Sequence, residues 1–166
     1  MPYEDLTEGQ KYYPGSTPFL EGALIRHGIN GQGGIIPFGY GLVRGDGDEL
    51  VEIPKETGQT FIGVATKTDS IERREGYSLD SDGRMGWPEA HSLSHYRRGV
   101  VAVYIDTACT KDAPAFLIHT ADGPSQVPGH FAATALGGDA DAVAAVFATT
   151  LTAPGIGLIE INLPQS

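Results

Sequence analysis

The sequence predicts an all-β chain, or a mostly β one with short helical pieces, folded as a single barrel or sandwich-like domain behind an extended N-terminal arm. Three observations predict it. Residues Gly99 to Ile105 form a continuous, β-branched apolar run bounded by turn residues, the pattern of a strand buried on both faces rather than of a helix. Glycine at 23 and proline at 11 exceed ordinary usage while apolar residues stay at 40%, so the excess marks many turns around a packed core. Near the end, Glu160 and Asn162 alternate with Ile159, Ile161 and Leu163, which places one face of that strand inward.

At 166 residues the chain falls in the single-domain range and can bury roughly 70% of its unfolded surface. Residues 1–22 are expected to be the arm, and 23–166 the β-rich domain. In the arm, Tyr3, Tyr12, Tyr13 and Phe19 are interleaved with Pro2, Pro14, Gly15 and Pro18, with neither a helical nor a strand period. Tyrosine is enriched where surfaces bind partners. Tyr3, Tyr12, Tyr13, Pro14 and Phe19 are therefore the candidate contact residues.

The glycine loop from Gly28 to Gly34 has neither dinucleotide-fingerprint nor P-loop spacing, and Ile35-Ile36-Pro37 after it is no helix start. It reads as a flexible turn using positive φ angles. Phe38–Arg44 is expected as a strand, Gly45–Glu49 as an acidic turn and Leu50–Pro54 as the returning strand. Phe61–Thr66 is a third strand, with Gly63 marking a bulge or close backbone approach.

From about 67 to 96 the chain turns polar and reads as a long loop or insertion. Asp80 and Asp82 before Gly83 resemble the start of a calcium loop, but the later acidic ligands are missing, so an Asx turn is the better reading. His91 and His95 stand four apart, as a zinc-binding helix would need, yet no third ligand is near in sequence and the intervening residues are poor helix formers. They read as exposed loop histidines.

The run at 99–105 and a second at Ala115–His119 flank a polar break containing Asp106, Lys111, Asp112 and Pro114, which predicts a hairpin. His130-Phe131 marks a further short strand. Ala142–Ala148 carries enough alanine for a helix, but it flows into a turn at Ala153-Pro154-Gly155. A hairpin of 144–150 with 157–163 is expected instead.

Several functions are disfavoured. A formal net charge of -10, from 21 acidic and 11 basic residues, repels phosphate backbones, and the pairs Arg73-Arg74 and Arg97-Arg98 do not form a basic stripe. No nucleic-acid partner is expected. The N-terminus lacks a basic and apolar leader pattern and no run of eighteen apolar residues occurs, so neither a secretory signal nor a membrane partner is expected. The one cysteine, Cys109, rules out an internal disulfide and has no hydrolase signature around it. No serine sits in a Gly-x-Ser-x-Gly elbow. The expectation is a non-enzyme with no catalytic residues, cofactor or metal.

The ordered series Ile36-Pro37-Phe38-Gly39, Val43-Arg44-Gly45, Ile53-Pro54, Phe61-Ile62-Gly63-Val64-Ala65, Arg98-Gly99-Val100-Val101-Ala102-Val103, Asp112-Ala113-Pro114-Ala115-Phe116, Gly129-His130-Phe131 and Gly157-Leu158-Ile159-Glu160-Ile161-Asn162-Leu163-Pro164 resembles the structural cement, or decoration, proteins of tailed bacteriophages. The resemblance runs from about residue 22 to the C-terminus and departs around 78–94 and in the arm. It implies a β-rich domain that binds the outer surface of the expanded head, contacts the major capsid protein, stabilises capsomer contacts and assembles as a homotrimer. The virion exterior is then its location, after assembly in the host cytoplasm. Under that reading Tyr3, Tyr12, Tyr13, Pro14 and Phe19 become capsid contacts, and deleting residues 2–20 is expected to weaken attachment without harming the core. The runner-up is a particle-displayed glycan- or receptor-binding domain, with Trp87 and tyrosines stacking on sugar rings and the 67–96 loop as its edge.

Overall fold

The structure, a computed structural model, describes residues 12–18, 22–67 and 78–164. The apolar run at 99–105 is the second half of one 14-residue strand, Ser92–Ile105, and the rest of the fold closes around it. In chain order the strands are β1 (Leu24–Asn30), β2 (Ile36–Pro37), β3 (Gly41–Arg44), β4 (Leu50–Glu52), β5 (Phe61–Ala65), β6 (Ser78–Leu79), β7 (Met85–Trp87), β8 (Ser92–Ile105), β9 (Pro114–Ile118), β10 (Phe131–Ala132), β11 (Ala140–Phe147) and β12 (Gly155–Asn162).

Two circuits of paired strands share β8. One runs β1-β4-β3-β5-β8 and closes through the β1–β8 pairing; the other runs β8-β10-β9-β11-β12 and closes through β12–β8. The first half of β8 serves the first circuit, with His95 and Tyr96 held between β1 and β5. Its second half serves the other, paired with β12 from Arg98 to Ile105 and with Phe131 of β10 at Ile105. Gly99, at φ 118°, lies at the changeover, where a residue with a Cβ would be strained. The β-barrel expectation is met, twice over on one strand.

Alternation explains how the two halves share a core. Leu42 of β3 and Ile62 of β5 belong to an apolar cluster with Trp87 and Leu93, whereas their neighbours Val43 and Phe61 pack with Val101, Phe131, Phe147 and Ile159 in the other, which Val64 joins past the irregularity at Gly63. Successive strand residues point to opposite faces, so β3 and β5 are buried on both sides. Gly63 has the close approach expected of it: a Cβ there would run into the Tyr96 carbonyl, and the β3–β5 register slips beside it.

Several expectations need correction. The runs at 99–105 and 115–119 do not form a hairpin, because β10 lies between β8 and β9. The intervening loop is drawn away to the β11–β12 turn, where Cys109 and Leu151 exchange backbone hydrogen bonds of 2.9 Å and the Asp112 amide donates to the Phe147 carbonyl. The region 67–96 is not one long loop, since its described part holds β6, β7 and the start of β8; residues 68–77 lie outside the described residues. Phe38 to Tyr40 is a turn rather than strand, with Gly39 at φ 79°. The Gly28–Gly34 turn uses no positive φ. Buried Asn30 holds it instead, its Nδ2 within 2.9–3.0 Å of the carbonyls of Gly34, Trp87 and Pro88. The hairpin near the C-terminus forms as expected, β11 against β12.

Candidate functional surface

Of the five expected contact residues, Tyr3 and Phe19 lie outside the described residues. Tyr12, Tyr13 and Pro14 belong to the segment 12–18, which is built into the sheet. The Gly15 amide donates to the Ala102 carbonyl at 2.8 Å and the Ala102 amide returns to the Ser16 carbonyl at 2.9 Å. Because Ala102 faces Leu158 across its other edge, Gly15 and Ser16 act as a short extra strand on β8. The Thr17 hydroxyl adds a 2.6 Å bond to the Val100 carbonyl, and the Lys67 amide donates to the Gly15 carbonyl.

That docking sorts the three side chains. Tyr12 and Pro14 are half-buried, Pro14 lying over Gly39 so closely that a Cβ on Gly39 would come within 2.6 Å of its own. Tyr13 is 66% exposed, with the Lys67 ammonium 5.7 Å from its ring centroid. It is an amphipathic ring on rigid backbone, suited to burial by a partner at little entropic cost.

A second apolar projection escaped the sequence reading. β6 and β7 form a small hairpin in which Leu79 pairs directly with Met85, and these side chains are 61% and 44% exposed. The turn is the Asx turn expected: Asp80 Oδ1 accepts from the amides of Asp82 at 2.9 Å and Arg84 at 2.7 Å. The Arg84 guanidinium reaches Asp82 at 2.8 Å and lies 5.7 Å over the ring of Tyr104. At the base, β7 pairs with β2, and the Phe38 amide donates to the Met85 carbonyl. The hairpin is therefore braced to the core, and Phe38-Gly39 ties it to the Pro14-Gly15 turn.

Trp87 is not available to stack on a sugar. It is 1% exposed, its Nε1 donates to the Thr66 carbonyl at 3.0 Å, and Phe38 meets it edge to face at 5.9 Å. This removes the residue on which the glycan reading stood. His95 is likewise no exposed loop histidine: it is buried within a strand, where four residues of extended chain span about 13 Å, too far for two side chains to share one ion. His91 precedes that strand, its Nδ1 donating to the Glu89 carbonyl at 2.9 Å.

Two groups resemble catalytic parts. His130 Nδ1 lies 2.7 Å from Asp106 Oδ1, and its ring stacks on Tyr104 with centroids 4.7 Å apart. The neighbouring phenols of Tyr40 and Tyr104 are pushed up, chiefly by burial, which favours the protonated form over a nucleophilic phenolate. Asp106 also accepts from the Val127 amide at 3.0 Å, so the pair pins the 127–130 turn to the end of β8. Cys109 is buried, and that burial raises its thiol, the reverse of thiolate activation.

A family model described as "Structural cement protein (E217 gp24/Pam3 gp6)" matches residues 7–163. The match takes in the 12–18 segment and the β6–β7 hairpin, parts set aside above as departures from the resemblance. No curated protein matches. Among solved structures, a chain from "The capsid of Myoviridae Phage XM1" superposes with a TM-score of 0.66 at 19% identity, covering 91% of this chain and 90% of that one. At that identity the likeness is one of fold.

Proposed function

The chain belongs to the phage structural cement protein family, and on that premise we propose that it clamps the outer surface of the expanded head through the Tyr13 turn and the β6–β7 hairpin. As a cement protein it binds capsid protein and forms part of the virion capsid. The exposed Leu79–Met85 pair carries the choice of surface. Large apolar side chains held out on a braced hairpin gain free energy only when a partner covers them, and a fully buried Leu or Met contributes roughly 1.5–3 kcal/mol.

A clamp of this kind makes and breaks no covalent bond. Its effect comes from many copies, each bridging neighbouring capsomers with modest contacts. Assembly as a trimer, which would present three such surfaces together, belongs to the same proposal, as do Tyr3, Tyr12, Pro14 and Phe19 as further contacts. The glycan-binding alternative is not retained, because Trp87 is buried.

Leu79→Ser with Met85→Ser tests the surface. Binding of the double variant to shells lacking the protein is expected to weaken by about tenfold or more, with its thermal midpoint unchanged because both side chains are already exposed. Unchanged affinity would place the contact elsewhere.

A further inference from the structure

The first barrel carries a concave site unlike the rest of this acidic molecule. A cavity of about 210 Å³ is lined by Arg26, Arg44 and Arg97 together with His27 and His95, although the whole chain has only 11 lysines and arginines. The strand register explains the convergence. Arg26 faces His95 and His27 faces Ser94 across the β1–β8 pair, while Arg44 closes β3 beside Val51 of β4. Asp48 and Glu49 also line the cavity, yet among the described residues neither lies within ion-pair distance of these arginines.

The site also holds buried polar atoms with no partner. His95 is 4% exposed, and its Nδ1, like the Nε of Arg97, is buried without a hydrogen bond. Arg97 satisfies another nitrogen by donating to the Pro164 carbonyl at 3.1 Å, which fixes its guanidinium in place. We propose that the cavity is an anion site that receives one carboxylate, an aspartate or glutamate side chain presented by the shell protein.

Guanidinium forks match the two oxygens of a carboxylate. The volume suits the end of one side chain and excludes a polymer. Asp48 and Glu49 penalise a dianion such as phosphate more than a single negative charge, and the net charge of -10 repels extended polyanions at a distance. A lone carboxylate carried in by apolar docking escapes most of that repulsion and meets the arginines at close range. The positive field registers on His95, which burial and then Arg97, His27 and Arg26 push down to about 4; a bound anion opposes the pull of the two guanidinium groups. The anion site stands on the cavity's own geometry, and only the identity of the donor rests on the cement reading.

The test titrates the free protein by NMR at low salt with a blocked Ala-Glu-Ala peptide, its glutamine counterpart and inorganic phosphate. Saturable shifts of the His95 and His27 ring signals are expected with the glutamate peptide and not with the glutamine one. Phosphate should bind more weakly. In Arg26→Gln with Arg44→Gln, whose exposed side chains can be changed without opening the core, affinity should drop about tenfold or more at an unchanged thermal midpoint. No saturable shift in the wild type, equal binding by the double variant, or tighter binding of phosphate would overturn the proposal. Co-sedimentation with shells then tests the donor: the double variant should attach about tenfold less tightly than wild type. Equal attachment would overturn the shell carboxylate while leaving the cement reading intact, whereas wild-type protein that ignores shells would remove both.

Discussion

Gly15 is the residue on which the N-terminal segment turns. It sits at φ 77°, and a Cβ there would lie 2.8 Å from the Ala65 carbonyl and 3.0 Å from the amides of Gly39 and Lys67. Gly22 has the same φ with nothing within 4 Å of that position. Gly22→Ala should thus cost about 1 kcal/mol for the backbone conformation alone, and Gly15→Ala some 2 kcal/mol or more because contacts are lost as well. Urea unfolding of both variants checks this, and equal losses would contradict it. His95 makes the second prediction at this scale. Its ring titrates at about 4 in the fold against 6.5 in the unfolded chain, so between these values the unfolded state holds more protons. The associated stability is complete above pH 6.5 and lost as pH falls towards 4, with a slope of up to about 1.4 kcal/mol per pH unit. An NMR titration of the ring near 4, with a urea midpoint that falls between pH 6.5 and 5, is expected; a ring titrating near 6.5 would contradict it. Neither residue's role was legible from its letter. Gly15 looked like one turn glycine among 23, and His95 was buried by pairings with β1 and β5 that arrive from far along the chain.

Elements were legible where their own periodicity is long. The alternation at 159–163 and the apolar run at 99–105 announced β12 and the second half of β8, whereas the first half was hidden because His95, Arg97 and Arg98 break the apolar pattern. His95 and Arg97 survive in a strand here because the basic cavity and the Pro164 carbonyl accommodate them. β6 and β7 span only two and three residues, too short for any period, although the Asx turn between them was readable from Asp80, Asp82 and Gly83. The 12–18 segment showed no pattern because it joins the sheet through the backbone of Gly15 and Ser16 and the Thr17 hydroxyl. This changes what a truncation reports. Compared with removal of residues 2–11, removal of 2–18 also deletes the added strand and should lower stability by a further few kcal/mol, given about 1 kcal/mol for each hydrogen bond lost. Thermal unfolding of the two truncations separates these cases, and equal midpoints would mean that the segment is not structural. The deletion of 2–20 suggested by the sequence removes a structural element along with any contact surface.

At the scale of the whole molecule, two barrels share one long strand, and the projections available to a partner are carried on that shared frame. The Tyr13 turn is bonded to Ala102 in the second half of β8, and the β6–β7 hairpin rests Arg84 on Tyr104 of the same strand. The basic cavity opens beside the first half. A frame of this kind holds its contacts in fixed relative positions, so little entropy is lost when several are buried at once. The family resemblance could be read from an ordered series of weak motifs because those motifs are strands and their adjoining turns, among them all of β5, the interior of β8 and most of β12. The docking surface could not, since exposure depends on which of many similar residues the closed fold leaves uncovered. The role proposed for this chain is that of a capsid cement acting on the expanded head. The most direct test is co-sedimentation of the purified protein with expanded and unexpanded shells lacking it, followed by heat or chelator challenge of the decorated particles. Saturable binding to expanded shells, with raised resistance to disruption, is the result expected; no binding to either form, or binding that leaves the shells as fragile as before, would contradict it.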